Sequence, residues 1–206
     1  MSTLLHLDSS PLESSISREL AREFVKTWKA IHDNGTVIYR DLAVTSPKPL
    51  DAAWIAAAYT PADVRTAGQN AILALSDELI SELENADEYV ISVAMHNFTI
   101  PSSLRLWIDQ VARKDKTFAY GSDGPKGLLT GKKATVLIAC GGDYKPGTPG
   151  EALNFVEPYL KTVLAYLGVT DVTFVTAGGT ARVMFGAIDR ETFLKPTLDK
   201  VRELVA

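Results

Sequence analysis

Short apolar runs alternate with longer stretches whose apolar residues recur every three or four positions, and this alternation continues to the end of the chain. Leu4 to Leu7 reads as a strand, closed by Asp8-Ser9-Ser10-Pro11. Leu20, Phe24, Trp28 and Ile31 then share one face of a helix, which Asn34-Gly35 stops. Thr36 to Tyr39 is a second strand, and the polar, proline-broken stretch from Asp41 to Pro49 is a loop. A helix is expected around Asp51 to Tyr59, and Thr60-Pro61-Ala62-Asp63 resembles an N-cap with proline at the first helical position. A longer helix covers Ala67 to Leu83, with Ile72, Leu75, Leu79, Ile80 and Leu83 expected inward.

The second half repeats the pattern. Tyr89 to Ala94 is a mostly apolar strand, and Ile100-Pro101-Ser102-Ser103 opens a helix with Leu104, Trp107, Ile108 and Val111 as its buried stripe. Thr117 to Tyr120, followed by Gly121-Ser122-Asp123-Gly124-Pro125, predicts a small hairpin. Lys133 to Cys140 is a fourth strand ending in Gly141-Gly142. Thr148-Pro149-Gly150-Glu151 fits a capping box before a helix that Gly168 caps near Leu167. Val172 to Thr176 is a fifth strand, and a last helix runs to about Leu204.

Strands alternating with helices imply right-handed crossovers and a parallel sheet. The expected architecture is α/β: a doubly wound three-layer sandwich with helices on both faces of five parallel strands. The strand order 2-1-3-4-5 is the common one at this size. With no repeat and no linker, residues 1–206 are expected to form one domain.

Composition narrows the function by exclusion. Lys and Arg number 21 against 25 Asp and Glu, and the cations are scattered, so the footprint of a nucleic-acid binder is missing. A single cysteine forbids an internal disulfide and fits a reducing compartment. Neither a signal peptide nor an apolar run of roughly 18 residues stands out, so a soluble, cytoplasmic protein away from membranes is expected. His6, His32 and His96 show no metal-ligand spacing. Neither the dinucleotide-binding glycine fingerprint nor a P-loop is present. Asp8-Ser9 invites comparison with serine hydrolases, but no late histidine could serve as their base.

In the expected sheet the loops after strands one, three and four open at the same, carboxyl end, where such sheets bind ligands. The first holds Ser9, Ser10, Ser14, Ser15 and Ser17 before a helix, whose N-terminus can bind phosphate without a cation. Ser10-Pro11-Leu12-Glu13 also satisfies a capping pattern, and both alternatives stay open. The second is Met95-His96-Asn97-Phe98, where an amide can read the edge of a flat heterocycle while a ring lies on its face. The third is Ala139 to Tyr144, in which Gly141-Gly142 admits close backbone approach or forms a plain tight turn. Tyr120 and Tyr144 either cover a ligand or stand in exposed loops, and Cys140 packs as a small hydrophobe.

These loops, taken with Ala74 to Ile80, Gly127 to Lys133 and Gly168 to Val172, give a chain that resembles the FMN-dependent NADH-azoreductases, the flavodoxin-like NAD(P)H quinone reductases of bacteria, almost end to end. The resemblance implies one FMN per subunit, NADH or NADPH as co-substrate, a quinone or azo compound as acceptor, and a homodimer with active sites at the interface. By it Ser10, Ser15, Ile16 and Ser17 hold the phosphate, and Met95, His96, Asn97 and Phe98 wrap the isoalloxazine. Ala139, Cys140, Gly141 and Gly142 approach the pyrimidine side with Tyr144 beyond, and Phe118 and Tyr120 line the substrate face. The implied reaction is hydride transfer and two-electron reduction by ping-pong kinetics, with the chemistry carried by FMN and no catalytic side chain.

This sequence departs from the family pattern at three places. His96 stands where many relatives have tyrosine, Ala139-Cys140 where many have Ser-Arg before the glycine pair, and Tyr144 where some have histidine. The alternative, a flavodoxin-like FMN electron carrier that meets protein partners, is disfavoured by the built-up segments Asp41–Asp63 and Phe118–Lys126. Arg18, Arg105 and Arg113 are each either a partner for the 2′-phosphate of NADPH or a solvated helix residue, and the sequence leaves both open.

Overall fold

The structure is a computed structural model, and it describes residues 2–205. Seven strands occur among them: β1 (Thr3–Asp8), β2 (Thr36–Asp41), β3 (Glu88–Ala94), β4 (Phe118–Gly121), β5 (Gly124–Gly127), β6 (Lys133–Cys140) and β7 (Asp171–Gly178). The helices are α1 (Ile16–Ile31), α2 (Ala52–Tyr59), α3 (Ala67–Asn85), α4 (Ser102–Val111), α5 (Val156–Leu167), α6 (Ala181–Met184) and α7 (Arg190–Val205). β1, β2, β3, β6 and β7 make one parallel sheet in the order β2-β1-β3-β6-β7, and β4-β5 form a separate antiparallel hairpin. Once the hairpin is set aside, this is the expected order 2-1-3-4-5.

Side chains along a strand alternate between faces, so the central strands divide the core in two. Leu5, Leu7, Ile91, Val93, Val136 and Ile138 pack with residues of α3, α4 and α5. Leu4, Val90, Leu137, Ala139 and Val175 pack on the other face with α1 and α7. β3 is buried from Tyr89 to Val93 because both of its faces are covered, as its mostly apolar run predicts. β2, at the edge, is half exposed and more polar.

Local chemistry moved several predicted boundaries. α3 is capped at Thr66, not Thr60: the Thr66 hydroxyl accepts from Gln69 N at 3.2 Å and the Gln69 side chain takes the Thr66 N–H at 2.9 Å. Pro61 instead precedes a single 3₁₀ turn at Ala62–Val64. Thr148 likewise caps no long helix. Its segment forms a 3₁₀ turn at Glu151–Leu153, and α5 starts only at Val156. Within the helices, Ala21 rather than Ile31 completes the buried face of α1, and Leu73 rather than Ile72 that of α3. The short α6 had no periodicity to reveal it. No helix of the described residues is long and apolar enough to cross a membrane.

The hairpin is fastened to the end of α5 by two glycines. Gly168 ends the helix with φ +107°, a left-handed conformation in which a side chain is strained. A Cβ on Gly127 would lie 2.1 Å from Gly168 N, so the two backbones touch where any larger residue would force them apart. Leu129 N donates to Leu167 O at 2.9 Å across the same junction.

Candidate functional site

The loops after β1, β3 and β6 meet at the carboxyl edge of the sheet. Ser9 and Ser10 are buried where β1 ends. Ser9 Oγ donates to Ser92 O at 2.6 Å on β3, and Ser103 Oγ at the start of α4 donates to Ser9 O at 3.2 Å. The serine loop is thereby tied to the strand and helix that flank Met95–Phe98. Met95 N donates to Ala139 O at 2.8 Å, which joins the second loop to the third. Phe98 meets Tyr144 edge to face with 6.2 Å between centroids, and Phe155 N donates to Phe98 O at 3.1 Å. Phe155 was not singled out in the sequence, because nothing in its neighbourhood marks it.

The two open alternatives for the serine loop resolve against a capping box. Ser10 caps no helix: its hydroxyl accepts only a long 3.4 Å bond from Leu12 N, and α1 begins six residues later. Ser15 occupies the N-cap position, yet its side chain takes no bond from the first turn. Its hydroxyl lies 2.9 Å from that of Ser17 instead. The first intrahelical bond comes from Glu19 N, so the opening N–H groups of α1 and two adjacent hydroxyls point into the loop. That donor set suits a phosphate ester and needs no cation.

At the second loop Asn97 and Phe98 have φ of +49° and +70°. Two consecutive non-glycine residues in the left-handed region cost on the order of 1–3 kcal/mol each and persist where the surroundings enforce them. Here the enforcing contacts are the paired bonds between His96 and Thr99 and the Phe155 N–H on Phe98 O. The result is a tight turn that leaves His96, Asn97 and Phe98 exposed while Met95 is half-buried. At the third loop a Cβ on Gly141 would meet nothing within 4 Å, whereas one on Gly142 would strike the Tyr144 ring at 2.9 Å. Gly141 thus borders open space, and Gly142 is small because Tyr144 lies over it.

Cys140 is buried and its thiol donates to Ala177 O at 3.8 Å. Burial, aided by the nearby charge of Asp143, pushes the thiol up to about 11, so it stays protonated near neutrality. Phe118 and Tyr120 stand apart from the three loops. Phe118 is buried against Tyr166 of α5 at 4.8 Å, and Tyr120, mostly exposed, meets its edge at 5.7 Å.

The three arginines have different surroundings. Arg113 is buried, with Nη1 bonded to Ser76 and paired with Asp77 at 2.9 Å. Arg18 is buried and turned inward. Arg105 is exposed, lies 5.7 Å over the Tyr159 ring and lines a cavity of about 530 Å³ shared with His96, Asn97 and Ser102. Of the three, Arg105 alone is placed to meet an anion arriving beside the second loop.

Sequence inspection overlooked the group beneath the serine loop. Asp8 accepts from Ser92 Oγ at 2.5 Å, Tyr39 OH at 2.9 Å, and His6 Nε2 and Arg18 Nη1 at 3.2 Å each. Burial alone would raise the Asp8 carboxyl, but the bond and charge of His6 and the hydroxyls of Ser92 and Tyr39 outweigh it and hold the group below its ordinary 3.8. Burial and the adjacent Asp8 charge push Tyr39 up to about 12, so it remains a donor. These residues sit far apart in sequence, and no local pattern connects them.

A parallel sheet that reverses between β1 and β3, with serine hydroxyls and free helix N–H groups over the reversal and aromatic rings beside it, defines a doubly wound protein of flavodoxin topology with a nucleotide-type crevice. Comparison with known proteins agrees. A family model described as the flavodoxin-like fold matches residues 2–204. The chain belongs to that family, within the group of FMN-dependent NADH:quinone oxidoreductases and azoreductases. It is 60% identical over 206 residues, the whole of both chains, to an FMN-dependent NADH:quinone oxidoreductase of Acidobacterium capsulatum. It is 46% identical over 207 residues, again all of both chains, to FMN-dependent NADH:quinone oxidoreductase 3 of Burkholderia lata. Among solved structures it is similar to an FMN-dependent NADH-azoreductase from Bacillus anthracis in complex with FMN, with TM-score 0.87, 26% identity, and 100% and 98% of the two chains covered.

Proposed function

We propose that this chain is a single-domain, FMN-dependent oxidoreductase that passes two electrons from NADH to quinones and reductively cleaves aromatic azo compounds. The observation that carries the reading is the crevice itself: uncapped helix N–H groups and serine hydroxyls at one end, and Asn97, Phe98 and Gly141 around open space at the other. When bound, FMN would supply hydride acceptance and delivery. Ser10, Ser15, Ile16 and Ser17 would hold its phosphate with hydroxyl and backbone donors, and Met95 to Phe98 would hold the ring, with the Asn97 amide free to bond its polar atoms. Ala139 to Gly142 would hold the ring with backbone, whose N–H groups could offset negative charge on a reduced flavin. Tyr144, braced on Phe98 and over Gly142, shields that edge from water.

No side chain at the three loops is needed as a general acid or base. Cys140 stays a thiol and serves as packing. Arg105, over Tyr159 and beside His96, meets the anionic part of the nicotinamide co-substrate. Ile55, Tyr59, Ile72 and Tyr120 are large, apolar and exposed, which supports a homodimer that covers them. With the crevice open on one side, donor and acceptor would reach bound flavin in turn, which supports ping-pong kinetics.

The test is anaerobic NADH oxidation by the FMN-loaded protein against a panel of benzoquinones and azo dyes. Parallel double-reciprocal lines are expected, and intersecting lines would overturn the ping-pong assignment. Turnover only with a protein acceptor would favour the electron-carrier alternative. A colourless protein that leaves added FMN fluorescence unquenched would overturn the function as a whole. Sedimentation at the mass of one chain would overturn the dimer.

A further inference from the structure

Arg18 lies in the first turn of α1, where a cation would ordinarily be taken for a direct phosphate ligand. Its side chain is buried and fully engaged in the opposite direction. Nε and Nη2 donate to Ser10 O at 3.1 and 2.7 Å, Nη2 and Nη1 reach the two Asp41 oxygens at 2.7 and 2.8 Å, and Nη1 also meets Asp8 and Tyr39 at 3.2 Å. All five guanidinium hydrogens of such a fork have acceptors within reach, so none is left for a ligand in the loop.

The carbonyl it grips belongs to the Ser10–Pro11 peptide. Proline has no N–H, so the only polar contribution that peptide could make to an anion site is a repulsive carbonyl dipole. Held by Arg18, that oxygen faces inward, and the hydroxyls of Ser10, Ser15 and Ser17 with the first N–H groups of α1 are left to line the loop. The same guanidinium offsets two carboxylates, Asp8 and Asp41, that lie directly beneath the loop. Without it a phosphate dianion would sit above uncompensated negative charge.

We infer that Arg18 is a positioning residue that makes this loop specific for a phosphorylated flavin, by turning the Ser10 carbonyl away and offsetting Asp8 and Asp41 rather than by touching the phosphate. Lysine keeps the charge but supplies one point donor group in place of a planar fork, and cannot hold Ser10 O and both Asp41 oxygens together. The inference rests on the reading of this loop as the phosphate site, and it concerns only the phosphate end of the ligand.

The experiment compares FMN with riboflavin, which lacks the phosphate, by fluorescence titration of the full chain stripped of flavin. Wild-type protein is expected to prefer FMN by about a hundredfold or more, since the loop offers several donors to a charged acceptor. Arg18→Lys is expected to narrow that preference by about tenfold while moving riboflavin affinity by less than about twofold, a selective loss that general destabilisation would not produce. A preference that Arg18→Lys leaves within about twofold of wild type would overturn the inference alone, because a simple positive charge would then suffice. If wild-type protein does not distinguish the two flavins, the reading of the loop falls, and this inference with it. Should Arg18→Lys fail to fold by far-ultraviolet circular dichroism, Asp41→Glu, which keeps the charge but displaces the fork, decides the matter. It is expected to narrow the preference by about threefold, and an unchanged ratio would overturn the inference.

Discussion

The two ends of the crevice are held by opposite means. The serine end rests on buried ionic and hydroxyl partners: Asp8, Arg18, Tyr39, Asp41 and Ser92 satisfy one another below it. The aromatic end rests on backbone strain, with Asn97 and Phe98 in left-handed conformations and their side chains exposed. A satisfied buried network stabilises the folded chain whether or not a ligand is present. A strained turn costs stability and is kept because it presents side chains to something else. Binding and stability should therefore change together at the first end and independently at the second.

The largest expected effect breaks the first end. Arg18→Ala leaves two carboxylates without their partner and should lower unfolding free energy by about 3–5 kcal/mol, measured by urea denaturation of the flavin-free chain. A loss below about 1 kcal/mol would show the network to be no more than a surface ion pair. The counterpart at the second end is Phe98→Gly. Relief of the left-handed strain should offset the lost edge contact with Tyr144 and keep stability within about 1 kcal/mol of wild type, while FMN affinity falls. A clear loss of stability with FMN affinity retained would reverse the comparison.

Acid should sharpen the contrast further. Asp8 and Asp41 are both held below 3.8, Asp41 chiefly because its bonds from Arg18 and Ala43 N outweigh burial. Folded carboxyls with lowered values contribute stability that is complete above the unfolded value and is lost as pH falls through the folded one. Unfolding free energy should thus be level down to about pH 5 and fall below about pH 4, and Asp8→Asn should reduce that fall. An equal fall in wild type and Asp8→Asn would place the acid-sensitive group elsewhere. The smallest effect concerns the third loop. Cys140, buried with its thiol raised to about 11, should react with a thiol reagent far more slowly in native than in urea-unfolded protein at pH 8. Equal rates would contradict its burial.

Much of the fold was legible in the residue pattern because each central strand is buried on both faces and each helix on one. Those two requirements write themselves as apolar runs and helical stripes. The misplaced boundaries share one cause. Thr60-Pro61 and Thr148-Pro149 are locally good helix starts, but Thr66 has the reciprocal bond with Gln69, and the segment after Thr148 is diverted into a 3₁₀ turn. Ile31 and Ile72 were expected inward on spacing alone, whereas the core positions fell to Ala21 and Leu73.

By itself the sequence determined the alternation of strands and helices, the three loops at one sheet edge and the chemical character of each, since these follow from local periodicity and residue type. Only the tertiary structure decided which polar residues meet. Asp8, Arg18, Tyr39 and Asp41 come together because β1 pairs with β2 in a register that sets Asp8 beside Asp41, while the first turn of α1 lies over both. Register and helix placement are properties of the packed whole, and no spacing along the chain encodes them.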